Sequence, residues 1–397
     1  MNANAHLFMQ RCLEDIQHRH LFRQLTPLIQ STAPWLTFGG HSLLNMSSNN
    51  YLGLADHPRL KEAAIAAVRA YGCGAGASRL ITGTTPLHEQ LEQRLAAFKG
   101  CEQTLLFGSG YLANIGVITS LARTGDVILS DELNHASIVD GCRLSRAERR
   151  IYPHCDTAAL AQQLEDLECV SHSGMRLVVT DSVFSMDGDL APLAEIASLC
   201  ERYNALLIVD EAHATGCLGP AGRGLTAQVG LDTEAAISIC TLSKGFGVAG
   251  AFVSGSGLLR EFLVNVARSF IFTTALPPAD VAACLAALDI LEEDPELPSR
   301  LQRQAAFFRR GLQKLGFSTL SSETQIIPLL IGDEMSAMHM AEALREHGLY
   351  AVAIRPPTVP PGVARIRFSV MASHTFEDLS FALDVVEQVG RAMGFIR

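Results

Sequence analysis

The sequence predicts an α/β fold with a mostly parallel seven-stranded sheet and a smaller α+β C-terminal domain. Between residues 104 and 254, short apolar runs typical of buried strands alternate with helical segments. Such alternation is typical of a parallel sheet with helices on both faces. Beyond residue 277 the pattern changes to two long helical segments followed by separate strands. Because 397 residues exceed one ordinary core, we predict three parts: an N-terminal segment (1–50), a large domain (51–285) and a small domain (286–397).

Composition excludes several classes of protein. Hydrophobic residues make up 48% of the chain, but no run reaches the roughly 18 apolar residues of a membrane span. The N-terminus has no apolar stretch of secretory length, which favours a cytoplasmic protein. A diffuse net charge of −10 argues against nucleic-acid binding, and we expect the short basic run at 143–150 to lie on a solvated helix face. The ten cysteines and thirteen histidines show no C-x-x-C or H-E-x-x-H pattern, so no metal site is predicted.

A single lysine is the candidate for covalent chemistry. Lys244 lies in the segment TLSKGFG (241–247), directly after the apolar run 235–240. Apolar surroundings lower the pKa of an ammonium group, and a neutral amine can hold an aldehyde cofactor as a Schiff base. The alternative is a strand-end lysine whose stem packs against the protein while its ammonium group reaches solvent.

An acidic group and an imidazole follow the preceding apolar strand. Residues 205–209 (ALLIV) run into Asp210-Glu211-Ala212-His213, at the strand end where open parallel sheets bind ligands. With Lys244 on a later strand, this order suits pyridoxal phosphate: Asp210 keeps the pyridine nitrogen protonated and His213 bonds the phenolic oxygen. DEAH is also a helicase signature, but that class needs the phosphate loop G-x-x-x-x-G-K-[ST], which does not occur in this sequence.

Three further positions have both a structural and a functional interpretation. The glycine-rich turn 108–111 (GSGY) joins a strand to a helix and suits a phosphate, while the ring of Tyr111 either lies beside a flat cofactor or packs ordinarily. His135 opens a helix and either caps it or stacks on a cofactor. Asn49 and Asn50 are typical turn formers.

Two arginines point to a carboxylate site. Arg365 and Arg367 alternate along one predicted strand, so their side chains share a face. Guanidinium groups recognise carboxylates through paired hydrogen bonds. We therefore expect this face to bind an acidic group of the substrate.

Together these segments resemble the alpha-oxoamine synthases, pyridoxal-phosphate enzymes of the aspartate-aminotransferase fold (fold type I) that condense an amino acid with an acyl thioester. The resemblance covers almost the whole chain. It is carried by SNNYLGL (48–54), NHAS (134–137), VFSMDGD (183–189), DEAHATG (210–216) and SKGFG (243–247).

The resemblance implies roles for individual residues. Lys244 is implied as the Schiff-base lysine and proton carrier, Asp210 as the partner of the pyridine nitrogen, and His213 as the partner of the phenolic oxygen. His135 is implied to stack on the ring. Further implied cofactor contacts are Gly110, Tyr111, Ser185 and Thr241, and the implied substrate-binding residues are Arg23, Asn49, His135, Thr358 and Arg367.

The loop IRPPTVP (354–360) and the short N-terminus are most similar to the biotin-pathway members of this family. This implies L-alanine and a pimeloyl thioester as substrates, carried by coenzyme A or by acyl carrier protein. It also implies a homodimer in which Thr273 and Thr274 reach the neighbour's phosphate. The alternatives are a sister enzyme such as glycine C-acetyltransferase or 5-aminolaevulinate synthase, or a non-catalytic binding module, which the presence of every expected catalytic residue disfavours.

Overall fold

The computed structural model describes residues 2–19, 21–170, 172–231 and 235–396. Its strands are β1 (Trp35–Phe38), β2 (His41–Asn45), β3 (Gln103–Phe107), β4 (Val127–Asp131), β5 (Glu148–Tyr152), β6 (Arg176–Asp181), β7 (Leu206–Asp210), β8 (Ala236–Thr241), β9 (Ala251–Gly255), β10 (Ile326–Gly332), β11 (Leu349–Tyr350), β12 (Val352–Ile354) and β13 (Ala364–Ser369).

Helices occupy most of the connections between these strands. They are α1 (Ala3–His18), α2 (Pro58–Tyr71), α3 (Pro86–Lys99), α4 (Gly110–Leu121), α5 (Ala136–Leu144), α6 (Thr157–Cys169), α7 (Leu193–Arg202), α8 (Leu225–Gln228), α9 (Gly257–Val266), α10 (Arg268–Ile271), α11 (Pro278–Glu293), α12 (Leu297–Lys314), α13 (Glu334–Glu346) and α14 (Phe376–Ala392). Within the described part of the chain, none of them combines the length and the apolar character that crossing a bilayer requires.

The large sheet has seven strands in the order β3-β9-β8-β7-β6-β4-β5. Its strands are parallel except β9, which runs antiparallel to both β3 and β8. Side chains of β8 alternate between two apolar clusters: Ile237 and Ile239 pack on one face, whereas Ala236 and Cys240 pack on the other. Because both faces are covered, every residue of β8 is buried, and the predicted α/β class is confirmed.

Two smaller sheets lie outside the large one. The antiparallel sheet β10-β13-β12 contains the three C-terminal strands that the sequence predicts. In the other, β1-β2-β11, the early strand β2 pairs in parallel with β11. The sequence did not indicate β1 or the two-residue β11, because runs this short have no readable alternation. The domain limits at residues 50 and 285 stay a prediction.

The basic run 143–150 does not lie on one helix face, so that expectation was wrong. Helix α5 ends at Leu144, and Arg149 and Arg150 belong to β5, which forms an edge of the large sheet. An edge strand exposes part of its surface to solvent, so it can carry charges that resemble the polar face of a helix.

A histidine joins the carboxyl ends of neighbouring strands. His154, just after β5, places Nδ1 2.9 Å from Oδ1 of Asp131 at the end of β4 and Nε2 2.7 Å from Oδ2 of Asp189 in the loop after β6. Its ring meets Phe184 edge-on, with 4.3 Å between centroids. Burial by itself would lower the pKa of His154, but the hydrogen bonds to the two carboxylates raise it to about 12. The imidazolium therefore fixes the loop that follows β6.

The same histidine belongs to the one described group with the spacing of a metal site. Ligand atoms of Asp131, His154 and Cys155 lie within 4.8 Å of one another. Both ring nitrogens of His154 already face carboxylates, so a protonated imidazole satisfies the group without an ion. The absence of a metal site stays a prediction.

We expect His154→Gln to lower the free energy of unfolding by about 2 kcal/mol near neutral pH, because two carboxylates lose their cation. This is less than for a fully buried pair, since the His154 side chain is 24% exposed. A raised pKa stabilises the fold fully below the unfolded value of about 6.5, and this stabilisation is lost as pH rises toward the folded value of about 12. In urea unfolding, the difference between the native protein and the variant should therefore be larger at pH 6.5 than at pH 9.

His41→Gln serves as the control, because His41 is exposed at the start of β2. It should unfold like the native protein at both pH values. A His154→Gln difference that does not change between the two pH values would show that the imidazole is uncharged in the folded protein.

Candidate active site

Asp210 lies buried at the carboxyl end of β7, in the middle of the large sheet. Its Oδ2 accepts a hydrogen bond of 2.6 Å from Nδ2 of Asn114 on α4, and its Oδ1 accepts one of 2.8 Å from the N–H of Ala212. These two donors hold the carboxylate at the sheet edge. The sequence did not single out Asn114, because one asparagine within an apolar helix carries no recognisable signal.

A second carboxyl group lies beside Asp210. Asp181 ends β6 and is paired in register with Asp210 on β7. Its Oδ2 accepts the N–H of His135 at 2.7 Å. Burial and the neighbouring Asp210 raise the pKa of Asp181 well above its ordinary value, which favours the neutral acid. No motif in the sequence singled out Asp181.

Lys244 follows β8, the next strand of the sheet. It is half-buried, and no described residue gives its Nζ a hydrogen bond or an ion pair. Burial lowers the pKa of Lys244, and the nearby Asp210 and Asp181 oppose that shift. The amine is therefore poised to lose its proton, as the sequence interpretation requires, and it differs from a strand-end lysine directed at solvent.

Two histidines flank this group. His213 is buried, and its Nδ1 lies 2.7 Å from the hydroxyl of Tyr51. Burial, assisted by Lys244, Arg367 and His135, lowers the pKa of His213 well below its ordinary value, so the ring is neutral.

His135 immediately precedes α5 and caps it. Its Nδ1 accepts from the N–H of Ser137 at 3.2 Å and lies 2.7 Å from the Ser137 hydroxyl. The ring nevertheless stays exposed at the sheet edge. Partial desolvation of the imidazole lowers the pKa of His135; Asp210 opposes this shift and Lys244 adds to it. Capping therefore leaves a ring face available at the candidate site.

The small sheet contributes a buried cation. Arg367 on β13 donates from Nε to the carbonyl of Ser185 at 2.5 Å, and both Nη atoms lie 3.4 Å from Oδ1 of Asn49. Among the described residues no carboxylate pairs with it. Arg365, on the same face, is neutralised by Asp187. Of the two arginines predicted to bind an acid, Arg367 therefore remains for an incoming anion.

The two asparagines of the early turn have different surroundings. Asn50 is structural, since Nδ2 donates to the carbonyl of Thr32 at 2.9 Å and Oδ1 accepts from the N–H of Ala55 at 3.1 Å. Asn49 instead contacts Arg367 and, at 3.1 Å, the hydroxyl of Tyr51. Tyr51 lies within the SNNYLGL segment, but no role was predicted for it.

The turn before α4 presents backbone donors. Ser109 caps the helix, since its Oγ accepts from the N–H of Leu112 at 3.3 Å. The N–H groups of Gly110 and Tyr111 find no acceptor in the described parts of the chain. The Tyr111 ring is 44% exposed, and its hydroxyl donates to Oδ2 of Asp140 at 2.6 Å. This is the anion-binding geometry of a helix N-terminus.

Thr241, at the end of β8, also lies at this edge. Its Oγ1 donates to the carbonyl of Gly250 at 3.2 Å and lies 2.8 Å from the hydroxyl of Ser243. Thr273 and Thr274 line a narrow crevice together with Gly108. Hydroxyl groups therefore surround the turn before α4.

Arg23 and Thr358 line the same cavity. It has a volume of about 610 Å³ and lies between the segment 22–26, α13 and the loop after β12. Thr358 also lines a second cavity, of about 310 Å³, with Ser185 and Arg365. Thr358 thus connects the cavity of about 610 Å³, here called the outer cavity, to the smaller one. The smaller cavity is lined by Ser185, which accepts a hydrogen bond from Arg367.

Comparison with known proteins is consistent with this geometry. Residues 41–386 match the family described as aminotransferase class I and II. The chain is 47% identical over 386 residues to the 8-amino-7-oxononanoate synthase of Citrifermentans bemidjiense, covering 97% of this chain and 98% of that protein. It is 50% identical over the same length and with the same coverage to the 8-amino-7-oxononanoate synthase of Geobacter metallireducens.

Solved structures give the same result. Serine palmitoyltransferase from Sphingomonas wittichii superposes with a TM-score of 0.92 at 30% identity, covering 100% of both chains. The 8-amino-7-oxononanoate synthase from Francisella tularensis gives a TM-score of 0.74 at 29% identity, covering 88% of this chain and 98% of that one. With the matches in sequence, these place the chain in the class I and II aminotransferase family, within the alpha-oxoamine synthase group that contains the 8-amino-7-oxononanoate synthases.

Proposed function

We propose that this chain catalyses the pyridoxal-phosphate-dependent condensation of L-alanine with a pimeloyl thioester, yielding 8-amino-7-oxononanoate, CO₂ and the free thiol carrier in biotin biosynthesis. The name shared by the curated relatives supports the reaction. The observation that carries the proposal is the unpaired, half-buried amine of Lys244 beside Asp210 and Asp181. An amine in this setting suits covalent capture of an aldehyde.

The residues present fit the cofactor at three separate points. The free N–H groups of Gly110 and Tyr111 suit its phosphate. Among the described residues, Asp210 has one donor on each oxygen and retains capacity for a further donor, such as a protonated pyridine nitrogen. Lys244 offers the amine. Thr241 and Ser185 would complete the contacts to the cofactor, and the ring of His135 would cover its face.

When bound, pyridoxal phosphate supplies an aldehyde for the substrate amine and a protonated ring that accepts electrons from the α carbon. The residues of the chain manage the protons. Lys244, with its lowered pKa, removes the α proton and later returns one. Asp210 keeps the ring nitrogen protonated through a charge-assisted hydrogen bond. His213, neutral through burial, donates a hydrogen bond to the phenolic oxygen.

Arg367 and Asn49 are the proposed site for the carboxylate of L-alanine. Arg367 is buried without a carboxylate partner among the described residues, and Asn49 fixes its guanidinium plane. The pimeloyl thioester would enter past Arg23 and Thr358, through the cavity of about 610 Å³ that they line. A cavity of this volume has room for a seven-carbon acyl chain, and Arg23 offers a cation for its distal carboxylate.

The proposal also covers the compartment, the oligomeric state and the acyl carrier of the enzyme. We place it in the cytoplasm as a homodimer, with Thr273 and Thr274 beside the phosphate of the neighbouring subunit. The reach across the interface rests on the family resemblance; within one chain both threonines line a crevice with Gly108. Either coenzyme A or acyl carrier protein would deliver the acyl group.

Lys244→Ala should abolish the covalent link to the cofactor, because it removes the amine proposed to hold the aldehyde. The purified variant should lose the visible absorbance of the lysine-bound cofactor, although phosphate contacts can retain the free form. Lys61→Ala is the control, since Lys61 is exposed and paired with Asp56. Borohydride reduction and peptide mapping should locate the cofactor on Lys244 in both the native protein and the control; cofactor found on another lysine would refute the assignment.

Asp210→Asn should lower kcat at least about a hundredfold, because a neutral amide cannot hold the ring-nitrogen proton through a charge-assisted bond worth about 3 kcal/mol. Asp181→Asn is the matched comparison. The pKa of Asp181 is raised, so an amide resembles the neutral acid already present, and kcat should fall less than about tenfold. Equal losses in the two variants would show that the ring nitrogen does not depend on Asp210 in particular.

The substrate assignment predicts a preference of at least about tenfold in kcat/KM for L-alanine with pimeloyl thioester over glycine with acetyl or succinyl thioester. The physical reason is the outer cavity, which shorter acyl groups would leave partly empty. A panel of both amino acids against the three thioesters measures this directly. Faster turnover of glycine with a short thioester would assign one of the sister activities instead, and no turnover by the cofactor-loaded protein would favour a binding module.

A further inference from the structure

The hydroxyl of Tyr51 lies at the meeting point of three groups from distant parts of the chain. It is 2.7 Å from Nδ1 of His213, 3.1 Å from Oδ1 of Asn49 and 3.4 Å from Nη2 of Arg367. Its side chain is fully buried, and its carbonyl accepts the N–H of Ala372 at 2.7 Å. Tyr51 is therefore held rigidly between the proposed substrate carboxylate site and the proposed cofactor site.

Counting protons assigns the direction of these bonds. A tyrosine hydroxyl has one proton to donate and two lone pairs. Arg367 can only donate, and it directs both Nη atoms at the Asn49 oxygen, so that oxygen is supplied without Tyr51. Nδ1 of His213 has no other donor among the described residues, and its contact with Tyr51 is the shortest of the three. The hydroxyl proton therefore points to Nδ1.

Near neutral pH the Tyr51 hydroxyl stays protonated and the His213 ring stays neutral, so the direction of this hydrogen bond does not change. Burial raises the pKa of Tyr51 to about 12, although Arg367 opposes the shift, so the hydroxyl keeps its proton. Besides Arg367 and the adjacent His213, Cys217 also acts on Tyr51 and raises its pKa. His213 is subject to Lys244, Arg367 and His135, and is neutral.

A neutral imidazole carries one N–H, and Nδ1 is already an acceptor, so the N–H lies at Nε2. We propose that Tyr51 is a positioning residue that fixes this tautomer of His213, so that the ring presents a donor and not a lone pair to the phenolic oxygen of the cofactor. This inference rests on the proposed function. The buried Tyr51 hydroxyl thereby determines whether Nε2 of His213 donates a stabilising hydrogen bond to that oxygen or directs a repulsive lone pair at it.

Tyr51→Phe tests this in the cofactor-loaded protein. Without the hydroxyl, no donor holds Nδ1 as an acceptor, so the Nε2–H tautomer is no longer enforced and the donor at the phenolic oxygen is weakened. A donor at that oxygen stabilises its ionised form and thereby eases loss of the proton from the nitrogen that links Lys244 to the cofactor. Losing the donor should therefore raise the pH midpoint of the visible absorbance change by about one unit. Tyr152→Phe is the control, because Tyr152 is equally buried and its hydroxyl contacts neither His213, Asn49 nor Arg367; its midpoint should match the native one.

A double-mutant cycle shows whether Tyr51 acts through His213. His213→Asn should shift the midpoint at least as far as Tyr51→Phe does, and adding Tyr51→Phe to His213→Asn should cause no further shift. An unchanged midpoint in Tyr51→Phe, or a full additional shift in the double variant, would overturn the inference and leave the proposed function intact. If the native protein takes up no pyridoxal phosphate on Lys244, the proposed function fails and this inference fails with it.

Discussion

The site depends on the burial of two carboxyl groups and one amine at the same edge of a parallel sheet. Asp181, Asp210 and Lys244 come from three consecutive strands of that sheet or the residues just after them. Desolvation disfavours every charge placed there, and the two acids also repel each other. The pKa of Asp181 is raised and that of Lys244 is lowered for this reason. Hydrogen bonds from Asn114 and Ala212 hold the Asp210 carboxylate in place, and the N–H of His135 holds the carboxyl group of Asp181.

The second requirement is the loop after β6, which is held at three points. Ser185 accepts from Arg367, Asp187 pairs with Arg365, and Asp189 bonds to His154. Two of these contacts come from β13 in the small sheet and one from the end of β5 in the large sheet. The loop therefore connects the cofactor edge with the proposed carboxylate site. The two arginines of β13 divide their tasks, since one closes a structural ion pair and the other stays available to a ligand.

Much of the architecture could be read from local pattern. Proline at the first turn and a left-handed glycine just beyond the end delimit α3 (Pro86–Lys99), and both signals are local ones. The prediction of the seven strands of the large sheet was less complete. The segment that forms β5 was assigned to a basic helix face because its exposed residues are charged. The two-residue β11 has no pattern of its own and exists because β2 offers it an edge.

The sequence by itself determined which groups stand at the ends of the buried strands, because a strand's apolar run also marks where it stops. It therefore indicated Asp210, His213 and Lys244, and it placed Arg365 and Arg367 on one face by their spacing. Only the tertiary structure decided that Arg365 is neutralised, that Asn49 and not Asn50 contacts Arg367, and that the Tyr51 hydroxyl meets His213. These contacts join residues more than 150 positions apart. Periodicity fixes a residue's face and its place along a strand, whereas partners at such separation are set by how the sheets pack against each other.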